Sequence, residues 1–169
     1  MSEPSSTVPD APARSGSAAR VRAASAADAP AVAAAIEALL IELGGERPLT
    51  AALEEAARSL AEDAAAGALL VAESEGTIVG VLAASWQHAI HVPGRYGTIQ
   101  DLWVHAEWRN RALGRELVEA LVAVAAELGV PRLEVGLPQE GFAGLEATER
   151  FYLANDFSPL GPRMRRLVR

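Results

Sequence analysis

The residues Arg109-Asn110-Arg111-Ala112-Leu113-Gly114 stand at the entrance of the most regular amphipathic stretch in the chain, and Arg115 follows at once. Arginines and small residues at a helix entrance suit an anionic group. The first turn of a helix leaves main-chain N–H groups without intrahelical acceptors, its dipole end is positive, and guanidinium groups add charge and forked donors. The same composition also fits an ordinary loop ahead of a surface helix, so the turn has to be read in context. Two other groups could do proton chemistry: Asp101, on the extended run leading into the turn, and Tyr152, between Phe151 and Leu153 and close to Phe157. His88 and His91 have a spacing that a metal could use, but no further ligands cluster with them, so substrate contact or plain exposure is expected and no metal.

Composition removes several alternatives. There is no cysteine, and all 15 basic residues are arginine. A thiol nucleophile, a disulfide, a thiolate metal site, a Schiff-base lysine and a phosphate-loop lysine are therefore excluded. The net charge of −7 disfavours a nucleic-acid partner and agrees weakly with a cationic substrate, and solubility explains it better. Trp86, Trp103 and Trp108 are too scattered for a base-stacking platform. No segment has the length and apolar continuity of a membrane span, and the opening residues lack the pattern of a signal peptide, so a cytoplasmic protein is expected.

Elements must position these groups. Residues 1–18 are rich in Ser, Pro and Ala without apolar periodicity and read as a flexible tail; residues 19–169 read as one domain. A strand is expected over Arg20–Ala24, then a helix capped by Ser25 or Asp28 and stopped by Gly44-Gly45, then a helix from Thr50 to Ala66. The period then shortens: Ala68–Glu73 and Thr77–Gln87 form a hairpin about Ser74-Glu75-Gly76, His88–Gly97 is a loop, and Thr98–Val104 is the next strand. Gly114–Leu128 repeats apolar residues at three and four, with Gly129 and Pro131 ending it. A strand over Arg132–Leu137, a short helix over Glu146–Asn155 and a terminal strand over Met164–Val168 complete an α+β order with one parallel crossover.

The segment Asp101 to Gly114, a strand ending in Val104, a short turn, Arg-x-x-Ala-x-Gly and a long helix, resembles the acetyl-CoA motif of the GNAT superfamily of N-acetyltransferases. Downstream, Phe151-Tyr152-Leu153-Ala154-Asn155-Asp156-Phe157 resembles that family's Phe-Tyr-x-x-x-Gly-Phe segment, and the similarity spans about Arg20 to Arg169. The resemblance implies a mixed, mostly antiparallel sheet flanked by helices, with acetyl-CoA in the cleft between the central strands. It implies that Arg109, Asn110, Arg111, Ala112, Leu113, Gly114 and Arg115 hold the diphosphate, and that Leu102, Trp103 and Val104 pair with the pantetheine arm as another strand would. It also implies that Tyr152 serves the departing thiolate. For the base, Asp101 is the carboxylate left on the strand, since Gln100 stands where many relatives carry an acid; strand alternation sets the two on opposite faces unless a bulge re-aims one.

This sequence departs from the pattern at Ala112 and Asp156, where glycines are usual, and at Leu145, where many members carry an asparagine. Aspartate tolerates the left-handed conformation that the second position demands. The implied activity is acetyl transfer from acetyl-CoA, as co-substrate, to a primary amine of a small molecule or a protein, with neither nucleic acid nor membrane as partner and a homodimer compatible with the family. Trp86 and Trp103 are assigned to the core or the acceptor pocket. Two rival readings remain at the level of sequence: a non-catalytic acyl-CoA-binding regulatory domain of the same fold, and a small protein-interaction module whose arginine-rich turn docks an acidic partner.

Overall fold

A computed structural model describes residues 19–46 and 48–161. The expected tail over residues 1–18 and the terminal strand over Met164–Val168 lie outside the described residues. The rest builds five strands and four α-helices: β1 (Arg20–Ala23), α1 (Ala29–Glu42), α2 (Thr50–Glu62), β2 (Gly67–Ser74), β3 (Thr77–Ala89), β4 (Val92–Val104), α3 (Leu113–Glu127), β5 (Leu133–Val135) and α4 (Leu145–Leu153). The sheet order is β1-β2-β3-β4-β5. Every neighbouring pair is antiparallel except β4 and β5, which run parallel and are joined by the crossover through α3.

Strand alternation sorts the apolar side chains into two layers. Leu70, Ala72, Leu82, Ala84, Trp86 and Ile99 meet Leu113, Leu117, Val118 and Leu121 of α3 on one face, where Tyr152 of α4 joins them. Leu69, Val71, Val81, Ala83 and Trp103 meet Val32 and Ala35 of α1 and Ala57 of α2 on the other. Helices on both faces explain why β2 reads as a continuous apolar run rather than an alternating one. Among the described residues no helix is long and apolar enough to cross a membrane.

The sequence expectation fails in three places. Residues 88–97 are not a loop: β3 continues to Ala89, β4 begins at Val92, and only Ile90 and His91 separate them. Pro93 and Gly94 gave a loop signal, but Gly94 (φ 92) falls where the pairing is already irregular near the hairpin tip, and cross-strand partners such as Gln87 and Tyr96 stay in register. The second helix ends at Glu62 rather than in the alanine run, because the Asp63 carboxylate accepts from the amides of Ala65 and Ala66 and offers the chain a local turn instead. The fifth strand covers three residues, not six. That brevity shapes the site.

Candidate active site

β5 pairs with β4 only at Gly97, Thr98 and Ile99. Beyond Ile99 the outer edge of β4, from Gln100 to Val104, has no strand beside it among the described residues, although its inner edge stays paired with β3 as far as Gly80. An open edge inside a sheet presents main-chain donors and acceptors to whatever lies along it. Leu102 and Val104 turn their side chains toward the α3 layer, and Trp103 turns into the layer of α1 and α2. Directly after the strand, a short turn of 3-10 helix at Ala106–Trp108 leads into the arginine-rich segment.

There the main chain is unusually short of acceptors. The N–H groups of Asn110, Arg111, Ala112, Leu113, Gly114 and Arg115 donate to nothing among the described residues, and the first bonded amide of α3 is that of Glu116, to Ala112 O. Asn110 and Ala112 both adopt positive φ, 60° and 64°. Asparagine takes this conformation readily; alanine does so at a cost of about 1 kcal/mol or more, so the turn holds strain at Ala112. Gly114 is small for a different reason: a Cβ there would lie 3.2 Å from the Phe151 ring of α4. The two sequence motifs therefore touch, and the glycine of the first makes room for the aromatic of the second.

The three arginines differ. Arg109 donates from Nε to Val104 O at 2.9 Å and from Nη2 to Glu42 Oε1 at 2.6 Å. It ties the end of α1 to the end of β4. Arg111 stacks over the Trp108 ring, 5.5 Å from its centroid, and Arg115 lies 3.9 Å from Glu119 on the next turn of α3. Both side chains are exposed beside the turn.

Tyr152 is 7% exposed and packs edge-on against Phe151 and Phe157, with ring centroids 5.1 and 5.2 Å apart. Burial, reinforced by the negative charge of Asp101, pushes its hydroxyl up to about 12, so it stays protonated at neutral pH. Asp101 in turn is raised above the ordinary carboxylate value by its own burial. Tyr152 thus remains a protonated phenol on the α3 side of the sheet, Asp101 is a desolvated carboxylate on the other, and the charge of the second raises the first; by type, one group can donate a proton and the other accept one. Phe157 is held by the end of α4, where Phe157 N–H reaches Tyr152 O and Asp156 N–H reaches Leu153 O. Asp156 takes φ 63 there, the left-handed value at which α1 and α3 use Gly44 and Gly129.

A bulge in β4 decides which way the acidic strand faces. Ala83 pairs with Asp101 and Ala84 with Ile99, leaving Gln100 as the extra residue. Asp101, opposite Ala83, opens on the side of α1 and α2, and Gln100 reaches the same side to donate to Ser85 Oγ at 2.8 Å. The Glu42 tie, the Phe151 contact and this polar pairing were not anticipated from the sequence. Only a three-dimensional register shows them. His88 lies on β3 and His91 in the hairpin turn, and among the described residues no group of three His, Asp or Glu side chains comes together.

The model of the acetyltransferase (GNAT) family matches residues 34–154. No protein of curated function matches the sequence. Among solved structures, a putative acetyltransferase from Arthrobacter sp. FB24 is 25% identical with a TM-score of 0.72, covering 94% of this chain and 100% of that one. A ribosomal-protein-alanine N-acetyltransferase from Brucella melitensis biovar Abortus 2308 is 22% identical with a TM-score of 0.63, covering 88% and 100%. An aminoglycoside acetyltransferase from an uncultured soil metagenomic sample is 17% identical with a TM-score of 0.70, covering 89% and 97%.

Proposed function

The chain belongs to the GNAT acetyltransferase family, and we propose that it moves an acetyl group from acetyl-CoA to a primary amine of a small molecule or a protein. The observation that carries this reading is the row of unpaired amides from Asn110 to Arg115, set directly after the open edge of β4. Such a row matches the need of a diphosphate for several donors converging at close range on a helix N-terminus. The strand edge at Leu102, Trp103 and Val104 matches the amide-bearing arm that joins a diphosphate to a thiol. Arg111 and Arg115 add charge beside the amides, and Arg109 braces the turn through Glu42.

Acetyl-CoA, when bound, supplies a thioester that an amine can attack. The chain's own contribution is to position and to move protons. In this reading Asp101 accepts the proton of the incoming ammonium, directly or through water, its desolvation bringing its basicity closer to the working pH. A free amide of the β4 edge would stabilise the oxygen on which charge develops. Tyr152, kept protonated, donates toward the departing thiolate. That two solved relatives are named for transfer to a protein alanine and to aminoglycosides supports an amine acceptor without choosing between them.

The test is a panel of primary amines with release of CoA thiol as the readout, run on the natural chain and on Tyr152→Phe. Turnover of at least one amine is expected. With the hydroxyl gone, kcat should fall by about a hundredfold to ten-thousandfold with the acetyl-CoA KM little changed, since the interaction strengthens only as the sulfur becomes anionic. Full kcat in Tyr152→Phe, with chemistry rate-limiting, would reduce Tyr152 to a packing aromatic.

A further inference from the structure

We propose that Ser85, Gln87, Tyr96 and Gln100 form the acceptor-recognition wall beside Asp101, and that it selects amines carrying an oxygen on the second carbon from the nitrogen over plain alkylamines and polyamines. The inference rests on the transferase reading above and names the acceptor class of the same site.

Register places these residues on one face of the β3–β4 hairpin. Ala83 lies opposite Asp101, Ser85 opposite Thr98, and Gln87 opposite Tyr96, and directly paired residues share a face. The side chains are joined in sequence. Tyr96 Oη donates to Gln87 Oε1 at 2.8 Å, Gln87 Nε2 donates to Ser85 Oγ at 3.3 Å, and Gln100 Nε2 donates to the same oxygen at 2.8 Å. A serine hydroxyl has two acceptor sites and one proton. With both acceptor sites taken by amide protons, the Ser85 proton is left to donate outward, and Gln100 Oε1 is left to accept. Thr98, 4% exposed, adds a hydroxyl with no hydrogen-bond partner among the described residues, next to Ser85 in register.

The wall therefore offers, side by side, a carboxylate at Asp101, an amide oxygen at Gln100 and a hydroxyl donor at Ser85. An amine with its protons directed to the first two still leaves the Ser85 donor unanswered, and an oxygen on the second carbon answers it. Aminoacyl groups and vicinal amino alcohols, including amino sugars, share that chemistry. Charge argues against polyamines. Glu134, opposite Thr98 on this face, is paired with Arg132 at 2.9 Å, so it offers a second ammonium no uncompensated charge. Gln87 and Tyr96 are positioning residues, because they fix which way the Ser85 proton points.

The experiment compares kcat/KM for glycinamide, glucosamine, propylamine and putrescine in the natural chain, Ser85→Ala and Tyr96→Phe, with acetyl-CoA KM and thermal shift measured alongside. Glycinamide or glucosamine should be the preferred acceptor, and which of the two it is separates aminoacyl from amino-alcohol recognition. Ser85→Ala should lower kcat/KM for that acceptor by about tenfold more than for propylamine, the worth of one hydrogen bond, through acceptor KM, with acetyl-CoA KM little changed. Tyr96→Phe should give a smaller loss of the same selectivity. Turnover with propylamine or putrescine preferred, or an equal loss for all four amines in Ser85→Ala, overturns this inference and leaves the transferase reading standing. No turnover of any amine overturns both.

Discussion

Asp101 shows how a single side chain can trade stability for chemistry. Burial lifts its carboxyl above the ordinary value, so the folded state holds this proton more tightly than the unfolded chain does. For a group shifted in that direction, the favourable contribution is complete below the unfolded value and is lost as pH rises through the folded one. At neutral pH the ionised Asp101 is consequently a cost to folding. Asp101→Asn keeps the shape and removes the charge, and it should raise the melting temperature at pH 7. The gain should shrink as the pH falls into the carboxylate range, where the natural residue is protonated as well. The same substitution should lower turnover and ease the upward shift of Tyr152, whose second cause is the Asp101 charge. Melting curves for both forms between about pH 4 and 8 check the sign; a pH-independent difference would mean that the carboxylate is not the origin of the effect.

At the scale of elements, much of the site was legible because its parts are local. The amphipathic repeat that predicts α3 at Gly114–Leu128 is within a residue of the observed Leu113–Glu127, and the left-handed turn expected at Asp156 is present at φ 63. What could not be read was long-range: the early divergence of β5, the bulge at Gln100 and the Arg109–Glu42 tie each depend on partners far apart in sequence. The loop expected at 88–97 failed because Pro93 and Gly94 speak only for their own residues, whereas the cross-strand register of the hairpin carries pairing past them. Ala112 sits between these cases, since the sequence marks it as a missing glycine and the structure shows the consequence, a backbone at φ 64° carrying a side chain that resists it. Ala112→Gly should relieve that strain and stabilise the fold by about 1 kcal/mol, a rise of roughly 2–4 °C in Tm for a chain of this size. A fall in Tm would show that chain entropy at this position outweighs the strain.

For the whole molecule, the groups proposed to grip acetyl-CoA belong to different layers. The open edge of β4 lies in the sheet, the unpaired amides lead into the first turn of α3 on one face, and Arg109 braces them through Glu42 of α1 on the other. A ligand that engages both the edge and the amides would couple parts that otherwise meet mainly through the core, and it would bind only when all of them are folded. Linkage then converts affinity into stability: a hundredfold excess over the dissociation constant contributes about 2.7 kcal/mol. At 2–4 °C per kcal/mol, acetyl-CoA should raise Tm by roughly 5–11 °C at that excess. Pantetheine, which can lie along β4 but has no diphosphate for the amides of Asn110 to Arg115, should raise it far less at the same concentration. Dephospho-CoA, which keeps the diphosphate, should fall close to acetyl-CoA. The order of the three ligands separates the two halves of the grip. Equal shifts from pantetheine and acetyl-CoA would mean that the strand edge carries the binding and that the amide row before α3 is not a phosphate cradle.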